Sequence, residues 1–270
     1  MIKLFATDLD GTILTKDKGF VKADIDAMRI IGEKEIVRVI ATGRTLNSAR
    51  NVIPEDFPVD YLVFSSGAGV YNWKTNELLQ SKHLGAEKLK ELIPLLSDRN
   101  LNFTLHWPIP DNHHFYYSGS GEEHDDFHRF LKHNRQYASS IEKDLPEKDY
   151  TQILAFLPDV DTYEYISGKV SGVKTVRATS PIDGQSVWME FFHHGVSKAE
   201  GLKFICNLKN INKNDVAVLG NDFNDLDMLQ TFSSAFVVSN SPQELKEKYT
   251  VVASAYEGAV ADLMKKLSIL

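Results

Sequence analysis

Two aspartates near the start of the chain have a spacing that suits chemistry on a single atom. Asp8 and Asp10 follow the apolar run IKLFAT in the stretch DLDG. In an extended chain, side chains two residues apart point to the same side, so both carboxylates can face one reacting group. Gly11 then permits a sharp turn, or the close approach of a phosphate to the backbone. An acidic turn after a strand is the alternative interpretation.

Two more groups of polar residues follow an apolar run or open a helix. Thr42 and Gly43, in IATGR, offer a hydroxyl and a backbone N–H for the oxygens of an anion, and a strand-to-helix cap is the alternative. Lys198 begins a helical pattern after HHGVS, where a positive charge opposes the helix dipole. This placement suggests a bound anion, and an exposed lysine is the alternative.

The stretch LGNDFNDLDML carries a dense set of oxygen ligands after another apolar run. Its polar residues include Asn221, Asp222, Asn224 and Asp225. Carboxylate and amide oxygens are hard ligands of the kind that Mg²⁺ prefers. The stretch therefore predicts a magnesium site.

Strands and helices alternate at both ends of the chain. The apolar, strand-like runs are IKLFATD, VRVIATG, YLVFSSG, DVAVLGND and SAFVVSN. The segments with helical periodicity include KADIDAMRIIGEKE and SKAEGLKFICNLK. This alternation predicts an α/β fold with a parallel sheet. Because ligands meet the carboxyl ends of parallel strands, we expect the polar residues above to share one edge of that sheet.

The middle of the chain, from about Asn72 to Met189, has a different pattern. Its alternating or aromatic-rich runs are LNFTLHW, HHFYYSG, TQILAFLP, VKTVRAT and SVWMEFF. Helical stretches lie between them, namely EKLKELIPLLSDRN, EEHDDFHRFLKHNRQY and DVDTYEYISGKV. The pattern predicts an α+β unit with an antiparallel sheet, inserted into the parallel one.

Composition excludes several classes of function. The chain has 270 residues and a net charge of -7, and it lacks the basic stripe that nucleic-acid surfaces need. No apolar run has the length of a membrane span, and MIKLF does not lead into a secretory signal. We therefore expect a cytoplasmic protein with neither a nucleic-acid nor a membrane partner. The single cysteine, Cys206, excludes an internal disulfide, and its helical surroundings predict a buried thiol.

Four of these motifs, in this order, resemble those of the haloacid dehalogenase superfamily, specifically its Cof-like (subclass IIB) phosphatases. The motifs are DLDGT, ATGR, the lysine of GVSK, and GNDFNDLDML. The resemblance implies a Rossmann-like parallel-sheet core with an inserted α+β cap of the C2 type. The implied core comprises residues 1–82 and 190–270, and the implied cap residues 83–189.

The resemblance also implies a mechanism. Asp8 would attack phosphorus and form an aspartyl-phosphate, while Asp10 would protonate the leaving oxygen and then activate water. Asp8 and the backbone carbonyl of Asp10 would bind Mg²⁺. The groups implied to hold the phosphoryl group are the backbone N–H of Leu9, together with Thr42, Gly43, Lys198 and Asn224.

One residue departs from the family pattern. Relatives usually have an aspartate that binds magnesium where this chain has Asn221. If the backbone keeps its register, Asn221 binds the metal through its amide oxygen, which removes one negative charge and weakens metal binding. Asp222 points to the opposite face unless the loop turns differently. Asp222 and Asp225 are therefore either further metal ligands or lie behind the direct ligand.

Two further features leave alternatives open. Arg44, directly after Thr42 and Gly43, either reaches toward distal groups of a substrate or pairs with nearby acids. The predicted cap also holds a cluster of aromatic and histidine residues, a candidate lip that contacts substrate or simply cap surface and core. The cluster contains His106, Trp107, His113, His114, Tyr116, Tyr117, His124 and His128. In it, His124 and His128 have the spacing of a metal pair on a helix.

Three functional hypotheses follow. The first is a magnesium-dependent phosphatase that acts on a small phosphorylated metabolite, such as a sugar phosphate, without an obligate protein partner. The second is a phosphomutase, which would use the same aspartates but keep its phosphoryl group from water. The third is a non-catalytic sensor of a phosphorylated ligand, suggested by Asn221.

Overall fold

Short apolar runs form the strands, and amphipathic segments form the helices. The computed structural model describes residues 1–119, 125–141, 148–180 and 182–269. The strands are β1 (Leu4–Thr7), β2 (Leu14–Thr15), β3 (Gly19–Phe20), β4 (Val37–Ala41), β5 (Tyr61–Phe64), β6 (Gly69–Asn72), β7 (Glu77–Ser81), β8 (Asn102–His106), β9 (Phe115–Ser118), β10 (Ala138–Ser140), β11 (Gln152–Leu157), β12 (Val173–Thr179), β13 (Val187–His193), β14 (Val216–Gly220), β15 (Ser234–Val238) and β16 (Thr250–Val252). The α-helices are α1 (Lys22–Glu33), α2 (Leu46–Arg50), α3 (Ala86–Ser97), α4 (Asp125–His133), α5 (Val160–Ser167), α6 (Lys198–Lys209), α7 (Leu226–Thr231), α8 (Gln243–Lys246) and α9 (Ala259–Lys266). Within the described ranges, no helix has both the length and the apolar character needed to span a bilayer.

The described chain divides into two compact units. One comprises Met1–Arg44, Ala49–Gln80 and Ser197–Leu270, and the other comprises Thr45–Ser48 and Ser81–Val196. These crossing points differ from the expected ones after residues 82 and 189. The boundary expected after residue 189 lies inside β13. Because β13 pairs along its whole length with β12, it stays in the second unit, which ends at Val196.

The first unit is built on an eight-stranded sheet with the order β16-β15-β14-β1-β4-β5-β6-β7. β1 lies between β14 and β4 and runs parallel to both, with Leu4 opposite Val216 on one side and Val37 on the other. All four residues of β1 are buried. Leu202 and Ile205 of α6 belong to the same apolar core as Leu4. The predicted parallel α/β sheet is confirmed.

Sequence patterns missed two strands of this sheet. β6 turns back antiparallel to β5, with Val63 opposite Val70, and β7 continues the sheet to its edge. β7 has no buried residue, so its side chains lack the apolar alternation that marks a half-buried strand. The sheet of the first unit therefore extends further along the chain than the hydrophobic pattern of the sequence indicates.

The second unit contains a six-stranded sheet with the order β10-β9-β8-β11-β13-β12. Neighbouring strands are antiparallel except for β9 and β10, which are parallel. Leu92 of α3 and Ile166 of α5 pack with Phe191 in one apolar cluster. Phe127 of α4 packs with Trp188 in another. The predicted α+β unit with a largely antiparallel sheet is confirmed.

The histidines of the second unit have unlike surroundings. His106 is buried, and its two ring nitrogens contact the Thr104 hydroxyl and the Asn112 carbonyl. Burial lowers the pKa of His106 to about 4, so the ring is neutral near pH 7. His128 is exposed on α4, and His124, which has the spacing of a metal pair with it, lies outside the described residues. The rings that pack on one another are those of Trp107, His113, His114 and Tyr137.

A buried carboxylate joins the first and last helices of the first unit. Asp24 of α1 accepts hydrogen bonds from the backbone N–H groups of Val260 and Ala261, in the first turn of α9. The residue is 2% exposed, and its second carboxylate oxygen has no hydrogen-bond partner among the described residues. Burial raises the pKa of Asp24 to about 6, although the N–H groups of α9 work against this shift.

We expect Asp24→Asn to raise the free energy of unfolding near pH 7 and to change it much less near pH 4. Folding raises the pKa of Asp24 from 3.8 to about 6, so wild-type stability falls as the pH rises through this range. A shift of this size corresponds to about 3 kcal/mol. The amide keeps an acceptor for both N–H groups without the buried charge. Urea unfolding of both proteins at the two pH values tests this, and an equal difference at both would contradict it.

Candidate active site

Three neighbouring strands bring the predicted polar residues to one edge of the first unit's sheet. Asp8 follows β1, Thr42 follows β4 and Asn221 follows β14. β1 lies between the other two strands, and all three run in the same direction. Their carboxyl ends therefore meet at the edge where α/β sheets bind ligands.

A buried lysine joins two buried carboxylates at this edge. Lys198 Nζ lies 2.6 Å from Asp8 Oδ1 and 2.6 Å from Asp225 Oδ1. The three side chains are 1%, 5% and 0% exposed, respectively. Lys198 is the first residue of α6, which Ser197 caps by accepting a hydrogen bond from the Glu200 N–H. The lysine that opposes the helix dipole is thus compensated by two acids.

The charges of this cluster depend on one another. Burial raises the pKa of Asp8 to about 7, with a further increase from Asp225 and an opposing decrease from Lys198. Burial by itself lowers the pKa of Lys198, but Asp225 and Asp8 more than offset this, so Lys198 stays charged. When Asp8 loses its proton, the cluster carries one net negative charge in a buried place. A bound cation would offset that charge.

The DLDG turn fixes the second oxygen of Asp8. Thr12 Oγ1 donates a hydrogen bond to Asp8 Oδ2 at 2.9 Å. Gly11 has a φ of +73°, in the left-handed region that favours glycine. A Cβ atom at Gly11 would lie 2.5 Å from the side-chain amide nitrogen of Asn221. The glycine therefore lets the amide of Asn221 approach the turn that carries both aspartates.

Asp222 and Asp225 hold the loop after β14. Asp225 Oδ2 accepts hydrogen bonds from the backbone N–H groups of Asn221, at 2.8 Å, and Asp222, at 3.3 Å. Asp222 Oδ1 accepts from the Phe223 N–H at 2.7 Å. With Lys198 on its other oxygen, Asp225 is engaged on both sides. The amide oxygen of Asn224 is buried and has no hydrogen-bond partner among the described residues.

The residues at this edge are of the types that could hold a magnesium ion. Among the residues that the structure describes, no group of three or more His, Cys, Asp or Glu side chains is placed to hold a metal. Mg²⁺ commonly uses one or two carboxylates and keeps several waters. Asp8, the Asp10 carbonyl and the Asn221 amide make such a mixed set. The amide group of Asn221 lies beside Gly11, in the turn that carries Asp8 and Asp10.

The turn after β5 packs against the predicted anion-binding residues. The Ser66 N–H donates to the Thr42 carbonyl at 3.1 Å, and a Cβ at Gly43 would lie 3.6 Å from Ser66 Oγ. Ser66 has a φ of 55°, and the next residue, Gly67, a φ of 101°. A Cβ at Gly67 would collide with the Ser197 carbonyl at the start of α6. Gly67 is therefore required where this turn meets the helix that carries the site lysine.

Arg44 pairs with Asp10. Its Nε lies 2.7 Å from Asp10 Oδ2, and its Nη2 lies 2.7 Å from Asp10 Oδ1. The Arg44 N–H donates to Thr42 Oγ1 at 3.1 Å. Of the two interpretations of Arg44, the structure shows pairing with an acid.

The structure thus places the candidate residues in one connected set, within the first unit. Direct contacts or chain neighbourhood join Asp8, Leu9, Asp10, Thr42, Gly43, Arg44, Lys198, Asn221, Asp222, Asn224 and Asp225. The side chain of Leu9 is fully buried, so only its backbone is suited to a ligand. From the sequence, no role was assigned to Ser66 and Gly67. The available signal was SSG directly after β5, the strand that neighbours β4. The catalytic roles of these residues stay predictions.

Comparison with known proteins identifies the family to which this chain belongs. The profile of the haloacid dehalogenase-like hydrolases matches residues 5–264. The putative phosphatase YxeH of Bacillus subtilis (strain 168) is 24% identical to this chain, over 92% of this chain and 91% of its own.

Solved structures share the fold. BT1666 from Bacteroides thetaiotaomicron, studied among phosphatases of this superfamily, has a TM-score of 0.85 at 17% identity and covers 100% of this chain and 96% of its own. The subclass IIB sugar phosphatase BT4131 has a TM-score of 0.80 at 16% identity, over 99% of this chain and 100% of its own. The family profile spans nearly the whole sequence and agrees with the four motifs, so the chain belongs to the haloacid dehalogenase-like hydrolases.

Proposed function

We propose that this phosphoric monoester hydrolase depends on Mg²⁺ and cleaves small phosphomonoesters, such as sugar phosphates, through an aspartyl-phosphate on Asp8. The observation that carries the proposal is the buried cluster of Asp8, Lys198 and Asp225 at the carboxyl edge of a parallel sheet. The description of BT4131 as a sugar phosphatase supports the substrate class. We assign the first unit as the hydrolase core and the second as the cap. A cytoplasmic location stays a prediction.

Asp8 acts as the nucleophile. One of its carboxylate oxygens attacks phosphorus, the bond from Asp8 to phosphorus forms, and the ester bond breaks. The ester oxygen leaves with the bonding electron pair and takes a proton from Asp10. In the second step Asp10 removes a proton from the water that attacks phosphorus, which releases phosphate and restores the Asp8 carboxylate. One acid thus serves both half-reactions.

The site must overcome repulsion between Asp8 and the phosphate. Two like charges about 4 Å apart repel by about 4 kcal/mol at an effective dielectric constant near 20. The Lys198 ammonium, which touches Asp8, offsets part of this repulsion. Asp8, the Asp10 carbonyl and the Asn221 amide would hold Mg²⁺, which would supply the remaining positive charge. The groups that would hold the phosphoryl oxygens are the Leu9 N–H, Thr42, Gly43, Lys198 and Asn224.

We expect chelation of Mg²⁺ to abolish phosphate release, and Asn221→Asp to lower the Mg²⁺ concentration needed for half-maximal rate. A carboxylate at position 221 adds one negative charge to the ligand set. The measurement is phosphate release from sugar phosphates, nucleotides and p-nitrophenyl phosphate, with Mg²⁺ and with EDTA. Calorimetric titration with Mg²⁺ gives a readout that is independent of turnover.

The matched control is Asn207→Asp, the same exchange at an exposed position of α6. It should leave the magnesium requirement unchanged. Full activity in EDTA would refute the metal dependence, and equal Mg²⁺ affinity in the two variants would refute the assignment of Asn221. Transfer of phosphate to an added sugar, instead of to water, would favour a phosphomutase.

A further inference from the structure

The general acid–base residue of the proposed mechanism, Asp10, is paired with an arginine. Nε and Nη2 of Arg44 reach the two carboxylate oxygens of Asp10, each at 2.7 Å. Among the described residues, no other side chain hydrogen-bonds this carboxylate. A two-point contact with a planar guanidinium fixes the direction of a carboxylate as well as its position.

The two partners differ in how firmly the chain holds them. The backbone of Arg44 is fixed from both sides, since its N–H donates to Thr42 Oγ1 and its carbonyl accepts from the Ser65 N–H at 2.8 Å. The Asp10 side chain is 44% exposed, against 29% for that of Arg44, and Asp10 is followed by Gly11 in a left-handed turn. Arg44 is therefore the fixed member of the pair, and Asp10 the member that it orients.

We propose that Arg44 is a positioning residue that orients the Asp10 carboxyl group toward the leaving oxygen of the substrate. This inference rests on the proposed function, in which Asp10 gives a proton to that oxygen as the ester bond breaks. Contact between Arg44 and distal groups of the substrate is the other interpretation, and the test below separates the two.

The proposal predicts that loss of Arg44 matters most for esters whose leaving group needs protonation. Phenyl phosphate and p-nitrophenyl phosphate have nearly the same shape, but phenoxide is a much more basic leaving group. For Arg44→Met we expect kcat/KM to fall about 10-fold or more on phenyl phosphate, and less than about 3-fold on p-nitrophenyl phosphate. Arg44→Lys keeps the positive charge but lacks the two-point contact. Its kcat/KM should lie between those of the wild type and Arg44→Met, with the same dependence on the leaving group.

A double-variant cycle makes the test specific to the pair. In an Asp10→Asn background, Arg44→Met should lower kcat/KM by less than about 2-fold on either ester, because the carboxyl group that Arg44 positions is already absent. The matched control is Arg29→Met, which removes an exposed arginine from a pair with Asp26 on α1. Thermal unfolding of each variant identifies losses that come from misfolding.

Several results would overturn the proposal. Equal losses on both esters, or additive losses in the Asp10→Asn background, would show that Arg44 does not act through Asp10. A rise in KM with unchanged kcat would assign Arg44 to substrate contact. Asp8→Asn distinguishes failure of this inference from failure of the proposed function. If Asp8→Asn is inactive and Arg44→Met loses the same activity on both esters, only the role of Arg44 is refuted. Undiminished activity of Asp8→Asn would refute both.

Discussion

Lys198→Met is expected to lower the free energy of unfolding by about 3–5 kcal/mol and to abolish activity. The substitution removes the ammonium that lies 2.6 Å from both Asp8 and Asp225, and it leaves two buried carboxylates without their cation. Desolvated charges that lose their partner are among the most destabilising features in a protein. Chemical unfolding measures the first effect, and phosphate release in saturating Mg²⁺ measures the second.

A lysine on the same helix provides the control. Lys203 pairs with Glu200 on the surface of α6, with side chains 46% and 42% exposed, so Lys203→Met should change stability by less than about 1 kcal/mol. In the Lys198→Met background, Asp225→Asn should restore part of the lost stability, because it removes one of the two unpaired charges. Equal stability of the two lysine variants would refute the buried-cluster account.

Asp8→Asn is expected to reduce kcat by about 10⁴-fold or more, with little change in fold. The amide matches the carboxylate in shape but cannot attack phosphorus to form an acyl phosphate. Lys198 keeps its contact with Asp225, so the substitution does not leave the lysine unpaired. Phosphate release and far-UV circular dichroism of the two proteins test both statements.

Asp215→Asn is the matched control for this substitution. Asp215 belongs to the same unit and pairs with Lys3, so its variant should keep wild-type turnover. Asp8→Asn with a rate comparable to that of Asp215→Asn would remove Asp8 from the role of nucleophile.

The position of Asp8 could be predicted from the sequence because the signals for a strand and for the turn after it are local. An apolar run followed by DLDG predicts a strand and the turn after it, and parallel alternation predicts that Thr42 and Asn221 reach the same edge. The structure agrees with this geometry. Lys198 was singled out by its place at the start of a helical pattern. Its contact with Asp8 spans 190 residues of chain, so no local pattern indicates that contact.

Other contacts were beyond sequence patterns because they depend on side-chain directions in the folded chain. Asp225 was expected either as a metal ligand or behind one, and in the structure its carboxylate contacts Lys198 and the N–H groups of its own loop. The sequence left two roles open for Arg44, and the structure shows its guanidinium hydrogen-bonded to both carboxylate oxygens of Asp10. Ser66 and Gly67 are uncharged, so their residue types did not indicate a role at the site. Their turn nevertheless packs against Gly43 and the start of α6.

The most direct test of the account is to trap the phosphoryl group on Asp8. In Asp10→Asn the base that activates water is missing, so the intermediate should accumulate when the variant is mixed with p-nitrophenyl phosphate and Mg²⁺ and quenched in acid. Peptide mass spectrometry should then find one phosphoryl group on the peptide that contains Asp8. Release of a full equivalent of p-nitrophenol without a phosphorylated protein, or with the phosphoryl group on another residue, would contradict the account.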